Sequence, residues 1–158
     1  MNATVAIRRA TAADRAFVRD LGRRVGSTSV STLRPSPPHF VNEAYERLVD
    51  YVLTRDHAIF IALDADVPIG FLMLVFDLPD EVTLADQAFI AYMAVEPDRW
   101  RRGVGTALLR AAEDAVRARG ITHVSLMVTE ENAAARALYE RAFFATERRL
   151  MTKVLTEP

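Results

Sequence analysis

The chain has 158 residues, 51% of them hydrophobic and 26% charged, with 20 basic and 21 acidic side chains and a net charge of -1. These values fit one globular domain over residues 1–158 and exclude global disorder, a general nucleic-acid binder and, because no apolar run reaches roughly 18 residues, an integral membrane protein. The absence of cysteine excludes disulfides, thiolate metal sites and cysteine nucleophiles, and we interpret it as a reduced, cytoplasmic setting.

The first half of the chain predicts a strand, two helices and a loop. Residues 5–9 alternate as a strand does, and Thr11–Asp14 is a plausible helix start that apolar residues follow at helical spacing. The segment Gly26–Pro38 is rich in Gly, Ser, Thr and Pro, which predicts a loop and the most mobile part of the chain. Apolar positions between Phe40 and Val52 then predict a second amphipathic helix.

The second half predicts strands and helices in alternation. Two apolar runs, Ala58–Leu63 and Ile69–Phe76, flank Asp64-Ala65-Asp66 and predict a hairpin. Further strands are predicted over Ala88–Val95, His123–Val128 and Ala145–Leu155, and helices over Gly103–Arg119 and Ala133–Ala142. The order β-α-α-β-β-β-α-β-α-β predicts an α/β fold with a mixed, mostly antiparallel central sheet flanked by helices.

A loop with two glycines and several arginines precedes the clearest helix. Gly103 and Gly105 open this helix, where unpaired backbone N–H groups and the helix dipole favour an anion. Glycine lets the backbone approach a ligand closely, and Arg101 and Arg102 add charge-assisted donors. The pattern indicates a phosphate or pyrophosphate site. The alternative is that the glycines only make a tight strand-to-helix turn.

A second stretch, Asn132 to Phe144, accompanies this loop. Asn132 stands where a helix begins, and Tyr139 lies seven residues later, two turns along the same helix and close to the same face. Taken alone, Asn132 is explained as a helix N-cap and Tyr139 as half-buried packing.

Together the two stretches resemble the GNAT superfamily of acetyl-CoA-dependent N-acyltransferases, from about Ala88 to Phe144. The matching positions of the family's pyrophosphate loop and second cofactor motif are Gly103, Gly105, Thr106, Ala107, Leu108, Leu109, Asn132, Ala135, Leu138 and Tyr139. Two positions depart from the family pattern. Trp100 stands where Gln or Arg is usual, and Phe143 stands where Gly is usual, so Phe143 must adopt a left-handed conformation or end the helix differently.

The resemblance implies that acetyl-CoA binds where two parallel strands splay apart, here the strand that ends at Val95 and the strand His123–Val128. Pantetheine would pair with backbone groups of the first strand, and the diphosphate would contact N–H groups of the loop. The implied cofactor-binding residues are Met93, Ala94, Val95, Arg101, Arg102, Gly103, Val104, Gly105, Thr106 and Asn132. An N–H near Ala94 or Val95 would polarise the thioester carbonyl, and Tyr139 would protonate the departing thiolate.

Because the chain has no cysteine, we expect direct attack by a primary amine of a small molecule or peptide. The strand position where relatives often carry Glu holds Ala91 and Tyr92. The nearest acids in sequence, Asp77, Glu81 and Asp86, are expected to be solvated loop charges, so no general base is assigned. The three histidines lack ligand-like spacing, and we expect no metal site. The acceptor itself is not identified by the sequence.

Two other functions remain open. The missing strand carboxylate favours an acyl-CoA-binding module without turnover. A Rossmann-type dinucleotide domain needs a third glycine after Gly103-Val104-Gly105 and an acid about 20 residues on, and the third glycine is absent. The strand predicted over Ala145–Leu155 has no cleanly apolar face, and members of the family commonly dimerise through this region or across the helices, so we expect a homodimer.

Overall fold

The computed structural model describes residues 5–156, so the ends of the predicted domain, residues 1–4 and 157–158, lie outside the described residues. Five strands form one sheet in chain order: β1 (Ala6–Arg9), β2 (His57–Asp64), β3 (Val67–Val75), β4 (Ala88–Val95) and β5 (Val124–Leu126). Four helices flank the sheet: α1 (Arg15–Val25), α2 (Pro38–Leu53), α3 (Val104–Ala118) and α4 (Ala133–Arg141). Within the described residues, none of the helices is long and apolar enough to cross a membrane.

The sheet is antiparallel from β1 to β4, and only the β4–β5 pair is parallel. This arrangement confirms the predicted fold class. It also excludes the Rossmann alternative, which requires a parallel, doubly wound sheet. The predicted hairpin between β2 and β3 is present. Its two turn residues, Ala65 and Asp66, have φ values of 46° and 65°, the backbone conformation that matches the twist of a two-residue hairpin.

The two faces of the sheet are covered by different helices. Residues of β3 alternate between these faces: Leu72 and Leu74 pack with residues of α3, whereas Phe71 and Met73 pack with residues of α1 and α2. All four side chains are fully buried. Because both faces of β3 are buried, its sequence is a continuous apolar run rather than an alternation of apolar and polar residues.

The last predicted strand is wrong, because residues 145–156 form no strand. Their backbone makes no hydrogen bond to another backbone group within residues 5–156. Leu150, Met151 and Leu155 are 87%, 89% and 85% exposed. The alternation of charged and apolar residues leaves neither face suited to burial, and β5 offers an edge of only three residues. The observed element order therefore ends at α4.

The unusual end of α4 agrees with the sequence prediction. Phe143 adopts a left-handed conformation, with φ of 66°, and its side chain is 95% exposed. The N–H of Phe143 donates to the carbonyl of Glu140 at 3.0 Å, and the N–H of Phe144 donates to that of Tyr139 at 2.9 Å. A phenylalanine thus occupies the position that glycine usually fills at such a helix end.

Candidate functional site

An opening separates β4 from β5 along the second half of β4. The parallel ladder pairs residues 88–90 with 124–126 and then stops. At the same point β4 bulges, because Ile90 pairs with Leu74 and Tyr92 with Met73, which leaves Ala91 without a partner on β3. A bulge bends and twists its strand, so the two parallel strands part beyond it. We call the space between Tyr92–Val95 and the end of β5 the opening.

Backbone groups of β4 line this opening at every second residue. The N–H of Glu96 donates to the carbonyl of Ile69 at 2.8 Å, on the β3 side. Successive strand residues direct their N–H and C=O groups to opposite sides, so Val95 and Met93 direct theirs into the opening. Ala94 directs its groups to β3. Of the three strand residues expected to bind the cofactor, Met93 and Val95 thus have backbone groups directed away from β3, whereas those of Ala94 belong to the β3 ladder.

The departure at Trp100 has a structural explanation. Its indole Nε1 donates to the carbonyl of Val95 at 2.8 Å, while the ring stays half exposed. This hydrogen bond fixes the loop to the end of β4. A carbonyl oxygen has a second lone pair, so Val95 keeps an acceptor as well as its N–H for the opening.

The amino end of α3 presents backbone donors beside the opening. Gly103 caps the helix with φ of 80°, and a Cβ atom built there meets no atom within 4 Å. The first helical hydrogen bond is donated by Ala107 to the carbonyl of Gly103, at 3.0 Å. The N–H groups of Val104, Gly105 and Thr106 come before it and have no acceptor inside the helix. The open space at Gly103 and the unpaired N–H groups of residues 104–106 thus lie at the same end of α3.

Two of the three arginines in the preceding loop are available to a ligand. Arg101 and Arg102 are exposed and form no ion pair with any residue between 5 and 156. Arg99 instead pairs with Asp64 in β2 and lies 3.8 Å from Asp98, so it anchors the loop to the sheet.

Gly105, the second glycine of the loop, has a different structural role from Gly103. A Cβ atom on Gly105 would lie 2.8 Å from Cδ2 of Leu138, which is too close for any real contact. A side chain at position 105 would therefore require the Leu138 side chain to move, and glycine lets α4 pack on α3 without that change. Of the two glycines in this loop, Gly103 is the one that combines a left-handed backbone with open space.

Asn132 and Tyr139 both fulfil the simple structural roles that the sequence allows. The Asn132 Oδ1 atom accepts the N–H of Ala135 at 3.2 Å and so caps α4. The Tyr139 ring packs on Phe144, with ring centroids 5.7 Å apart. Burial and, to a smaller extent, the nearby Tyr92 phenol raise the pKa of Tyr139 to about 12. Tyr139 is consequently neutral throughout the physiological range.

Tyr92, which the sequence analysis named only as a position where relatives often carry Glu, lies where β4 begins to border the opening. Its ring lies 4.9 Å from that of Tyr45 and stacks on Phe71 at 6.2 Å, on the face covered by α1 and α2. Tyr139 packs on the opposite face, yet the two phenols are close enough to affect each other's charge. Burial raises the pKa of Tyr92. A polar aromatic residue within an otherwise apolar strand was the available signal.

The loop predicted to be most mobile is fastened to the residues that follow β5. The Thr32 N–H and hydroxyl donate to Oε1 of Glu131 at 3.0 and 2.5 Å. The Thr129 hydroxyl donates to the Ser29 carbonyl at 2.7 Å. These contacts hold the loop beside the opening, and the Thr32 hydrogen bonds lower the pKa of Glu131. Whether Gly26–Pro38 is the most mobile segment stays a prediction, but hydrogen bonds attach it at Ser29 and Thr32.

The acids considered as general bases lie at the other end of β4. Asp77 pairs with Arg55, Glu81 lies 4.0 Å from Arg148, and Asp86 is exposed. All three precede β4, whereas the opening lies at its carboxyl end. Within residues 5–156, no three side chains of metal-binding type cluster together.

Comparison with known proteins was made against families, curated proteins and solved structures. Residues 27–143, more than half of the chain, match the Acetyltransferase (GNAT) family. The chain is 50% identical over 58 residues to the mycothiol acetyltransferase of Clavibacter michiganensis subsp. michiganensis (strain NCPPB 382), covering 37% of this chain and 19% of that protein. It is 46% identical over 66 residues to the ribosomal protein bS18-alanine N-acetyltransferase of Escherichia coli (strain K12), covering 40% and 45%. The chain thus spans less than half the length of these relatives.

Two solved structures share the whole fold. A putative acetyl transferase from Pyrococcus furiosus superposes with a TM-score of 0.80 at 24% identity, over 96% of this chain and 100% of that one. AAC(6')-Iy, in complex with the bisubstrate analog CoA-S-monomethyl-acetylneamine, superposes with a TM-score of 0.70 at 20% identity, over 97% and 99%. The family match, together with a sheet whose only parallel pair opens beside a donor-rich helix end, shows that this chain belongs to the GNAT acetyltransferase family.

Proposed function

We propose that this chain is an acetyl-CoA-dependent N-acetyltransferase that transfers acetyl directly to a primary amine. The proposal depends mainly on one observation. The opening, with unpaired strand groups at Met93 and Val95, is followed eight residues later by the donor-rich start of α3 at Gly103. A pantetheine arm pairs like an added strand, and a diphosphate suits a helix amino end, so one elongated ligand fits both features.

The residues that hold this cosubstrate follow from those contacts. Backbone groups of Met93 and Val95 would bind the pantetheine amides. The N–H groups of residues 104–106 would bind the diphosphate, and Arg101 and Arg102 would offset its charge. The open space at Gly103 leaves room for the phosphate oxygens.

Acetyl-CoA supplies an activated acyl group as a thioester. The N–H of Val95 points into the opening and would stabilise negative charge that develops on the acyl oxygen. No cysteine is present to carry the acyl group, so the amine attacks the thioester directly. A neutral amine is required, and no residue is assigned to deprotonate it.

Tyr139 would donate a hydrogen bond to the departing sulfur. Its pKa of about 12 lies well above the roughly 8.5 of a thiol, so full proton transfer would be uphill by about 5 kcal/mol. A hydrogen bond from the phenol to the thiolate stabilises the thiolate without transferring the proton, so it does not incur this cost. Asn132 would be a positioning residue, because its side chain caps the first turn of α4, the helix that carries Tyr139.

The acceptor would enter beside Tyr92 and the fastened loop that includes Thr32. We propose a small-molecule or peptide amine as the acceptor, because one relative is named a mycothiol acetyltransferase and another a ribosomal protein bS18-alanine N-acetyltransferase. The cysteine-free composition supports a cytoplasmic setting, and the exposed residues 145–156 support a homodimer.

A non-catalytic acyl-CoA-binding module is the second candidate. It is favoured by one observation: the three acids considered as general bases, Asp77, Glu81 and Asp86, precede β4, whereas the opening lies at its carboxyl end. The deciding experiment measures release of CoA thiol from acetyl-CoA with a panel of antibiotics, polyamines, amino acids and peptides with free amino termini. Release that requires an amine supports the transferase. Tight acetyl-CoA binding with no release for any amine supports the binding module.

A further inference from the structure

Tyr92 is the first residue of β4 at the opening and carries a polar hydroxyl in an otherwise apolar strand. The parallel ladder ends with Ile90 opposite Leu126, and the bulge at Ala91 follows. The Tyr92 ring lies on the sheet face that α1 and α2 cover, and the side chain is only partly buried. The residue therefore joins this packed face of the sheet to the edge of the opening.

Two other aromatic rings fix the position of the Tyr92 ring. It lies 4.9 Å from the Tyr45 ring and stacks on Phe71 with centroids 6.2 Å apart. Tyr45 is itself held, because its hydroxyl donates to the carbonyl of Val18 at 2.7 Å. Its ring also fills the space beside Gly22, where a Cβ atom would lie 1.9 Å from Cζ of Tyr45. Tyr92 thus packs against a neighbour that is anchored to α1.

The hydroxyls of these two neighbouring tyrosines have different partners. The Tyr45 hydroxyl is bound to the backbone of α1. The Tyr92 hydroxyl forms a hydrogen bond with the Ser29 hydroxyl, and it is close enough to Tyr139 to raise the pKa of that phenol. Ser29 is the last residue of the 3₁₀ turn that follows α1, and its carbonyl accepts the Thr129 hydroxyl at 2.7 Å. The Tyr92 hydroxyl therefore lies between the fastened loop and Tyr139.

The Tyr92 phenol is neutral at physiological pH. Burial raises the pKa of Tyr92, and the Ser29 hydroxyl offsets only part of this effect. The charged groups near its neighbour Tyr45 pair with one another and are those of Arg19, Arg23 and Glu46. A neutral phenol does not remove a proton from an ammonium group, but its oxygen can accept a hydrogen bond from a neutral amine. Tyr92 is thus suited to bind an amine in the form that attacks a thioester.

We propose that the Tyr92 phenol oxygen accepts an N–H of the acceptor amine, while the Ser29 hydroxyl accepts the phenol O–H, and so directs the nitrogen lone pair at the thioester carbon. The inference rests on the transferase activity proposed above. Tyr92 and Tyr139 pack on opposite faces of the sheet, so the first would contact the entering nitrogen and the second the departing sulfur. The N–C bond forms and the C–S bond breaks. The sulfur leaves as a thiolate, and the proton lost from nitrogen goes to water.

Tyr92→Phe and Tyr45→Phe are a matched pair, since each removes one hydroxyl and keeps the ring. Both are assayed with the amine that gives the fastest CoA release with the wild-type chain. Tyr92→Phe should lower kcat/KM for that amine about tenfold, the effect of one lost hydrogen bond at the reacting nitrogen. Its acetyl-CoA affinity, measured by calorimetry, should not change. Tyr45→Phe should lower the free energy of unfolding and leave kcat/KM for the amine unchanged.

Ser29 provides a second, independent variant. Ser29→Ala removes the partner of the phenol but keeps the carbonyl that binds Thr129, so kcat/KM for the amine should fall about threefold. Ser29→Thr keeps a hydroxyl and should restore the wild-type value. Ser29→Ala should add no further loss to Tyr92→Phe, because residues that act through one hydrogen-bond network are not additive. Independent structural roles would instead give additive losses.

The outcomes separate this inference from the activity on which it rests. An active wild-type chain whose Tyr92→Phe variant keeps its kcat/KM for the amine would overturn the role of Tyr92 alone. The same holds if Tyr92→Phe loses acetyl-CoA affinity instead, or if Tyr45→Phe lowers kcat/KM equally. A wild-type chain that binds acetyl-CoA and acetylates no amine of the panel would overturn the proposed activity and the role of Tyr92 together.

Discussion

Two glycines of α3 provide a matched test of the diphosphate site. Gly103 lies before the first residue of the helix with φ of 80°, and Gly120 lies beyond its last residue with φ of 71°. A Cβ atom at either position meets nothing within 4 Å. Gly103→Asp and Gly120→Asp therefore introduce the same side chain into the same backbone conformation, at opposite ends of one helix.

Gly120→Asp should lose more stability than Gly103→Asp, whereas Gly103→Asp should lose more affinity for acetyl-CoA. Left-handed strain costs about 1–2 kcal/mol in both. An Asp at the amino end of a helix recovers part of that cost, whereas an Asp beyond the carboxyl end adds to it. Gly120→Asp should thus be the less stable protein. Two like unit charges 6 Å apart repel by about 3 kcal/mol at an effective dielectric constant of 20, so Gly103→Asp should weaken acetyl-CoA binding about 100-fold.

Binding is measured by calorimetry and by the fluorescence of Trp100, the only tryptophan of the chain, which lies in the same loop. Gly103→Ala separates strain from charge, since it adds the Cβ atom without the carboxylate. The affinity loss of Gly103→Asp should shrink at high ionic strength, because salt screens exposed charges. Equal acetyl-CoA affinity in Gly103→Asp and Gly120→Asp would refute the assignment of the diphosphate to this helix end.

Three further changes test the site and the fold. Tyr139→Phe removes the hydrogen bond to the leaving sulfur and should lower kcat about tenfold, while acetyl-CoA affinity stays within a few fold. Steady-state kinetics measure kcat and calorimetry measures the affinity. An unchanged kcat would show that Tyr139 only packs. Phe143→Gly relieves a left-handed, exposed residue and should raise the free energy of unfolding by about 1 kcal/mol, which denaturant titration measures. The hydrogen-bonded guanidinium of Arg8 lowers the pKa of Asp14 to about 2, so this pair stabilises the fold above the ordinary carboxyl pKa and is lost as pH falls towards 2. Asp14→Asn should therefore cost about 1–2 kcal/mol at pH 7 and almost nothing at pH 2; an equal cost at both pH values would contradict the linkage.

The sequence by itself determined the features that depend on residues close together in the chain. Helical spacing predicted α3 to within one residue at each end, and the apolar run Ala88–Val95 predicted β4 without error. For Phe143 the sequence left two helix ends open, a left-handed residue or a different termination, and the structure has the left-handed one. In each case the deciding interactions join residues no more than a few positions apart.

Tertiary structure alone decided how those elements form a site. The bulge at Ala91 depends on the register against β3, and it selects Met93 and Val95 rather than Ala94 as the groups that face the opening. Leu138, 33 positions further along the chain, explains the glycine at position 105. Packing between distant segments leaves no periodic signal in either one, so local patterns do not reveal it.

Residues 145–156 show the limit of local patterns. Their alternating sequence predicted a strand, and the structure has none there. Whether a segment joins a sheet depends on a partner edge, and β5 pairs with β4 over only three residues. The three-dimensional arrangement therefore decided that the backbone of residues 145–156 forms no hydrogen bond with other backbone groups within residues 5–156, because pairing depends on distant residues that a local pattern does not include.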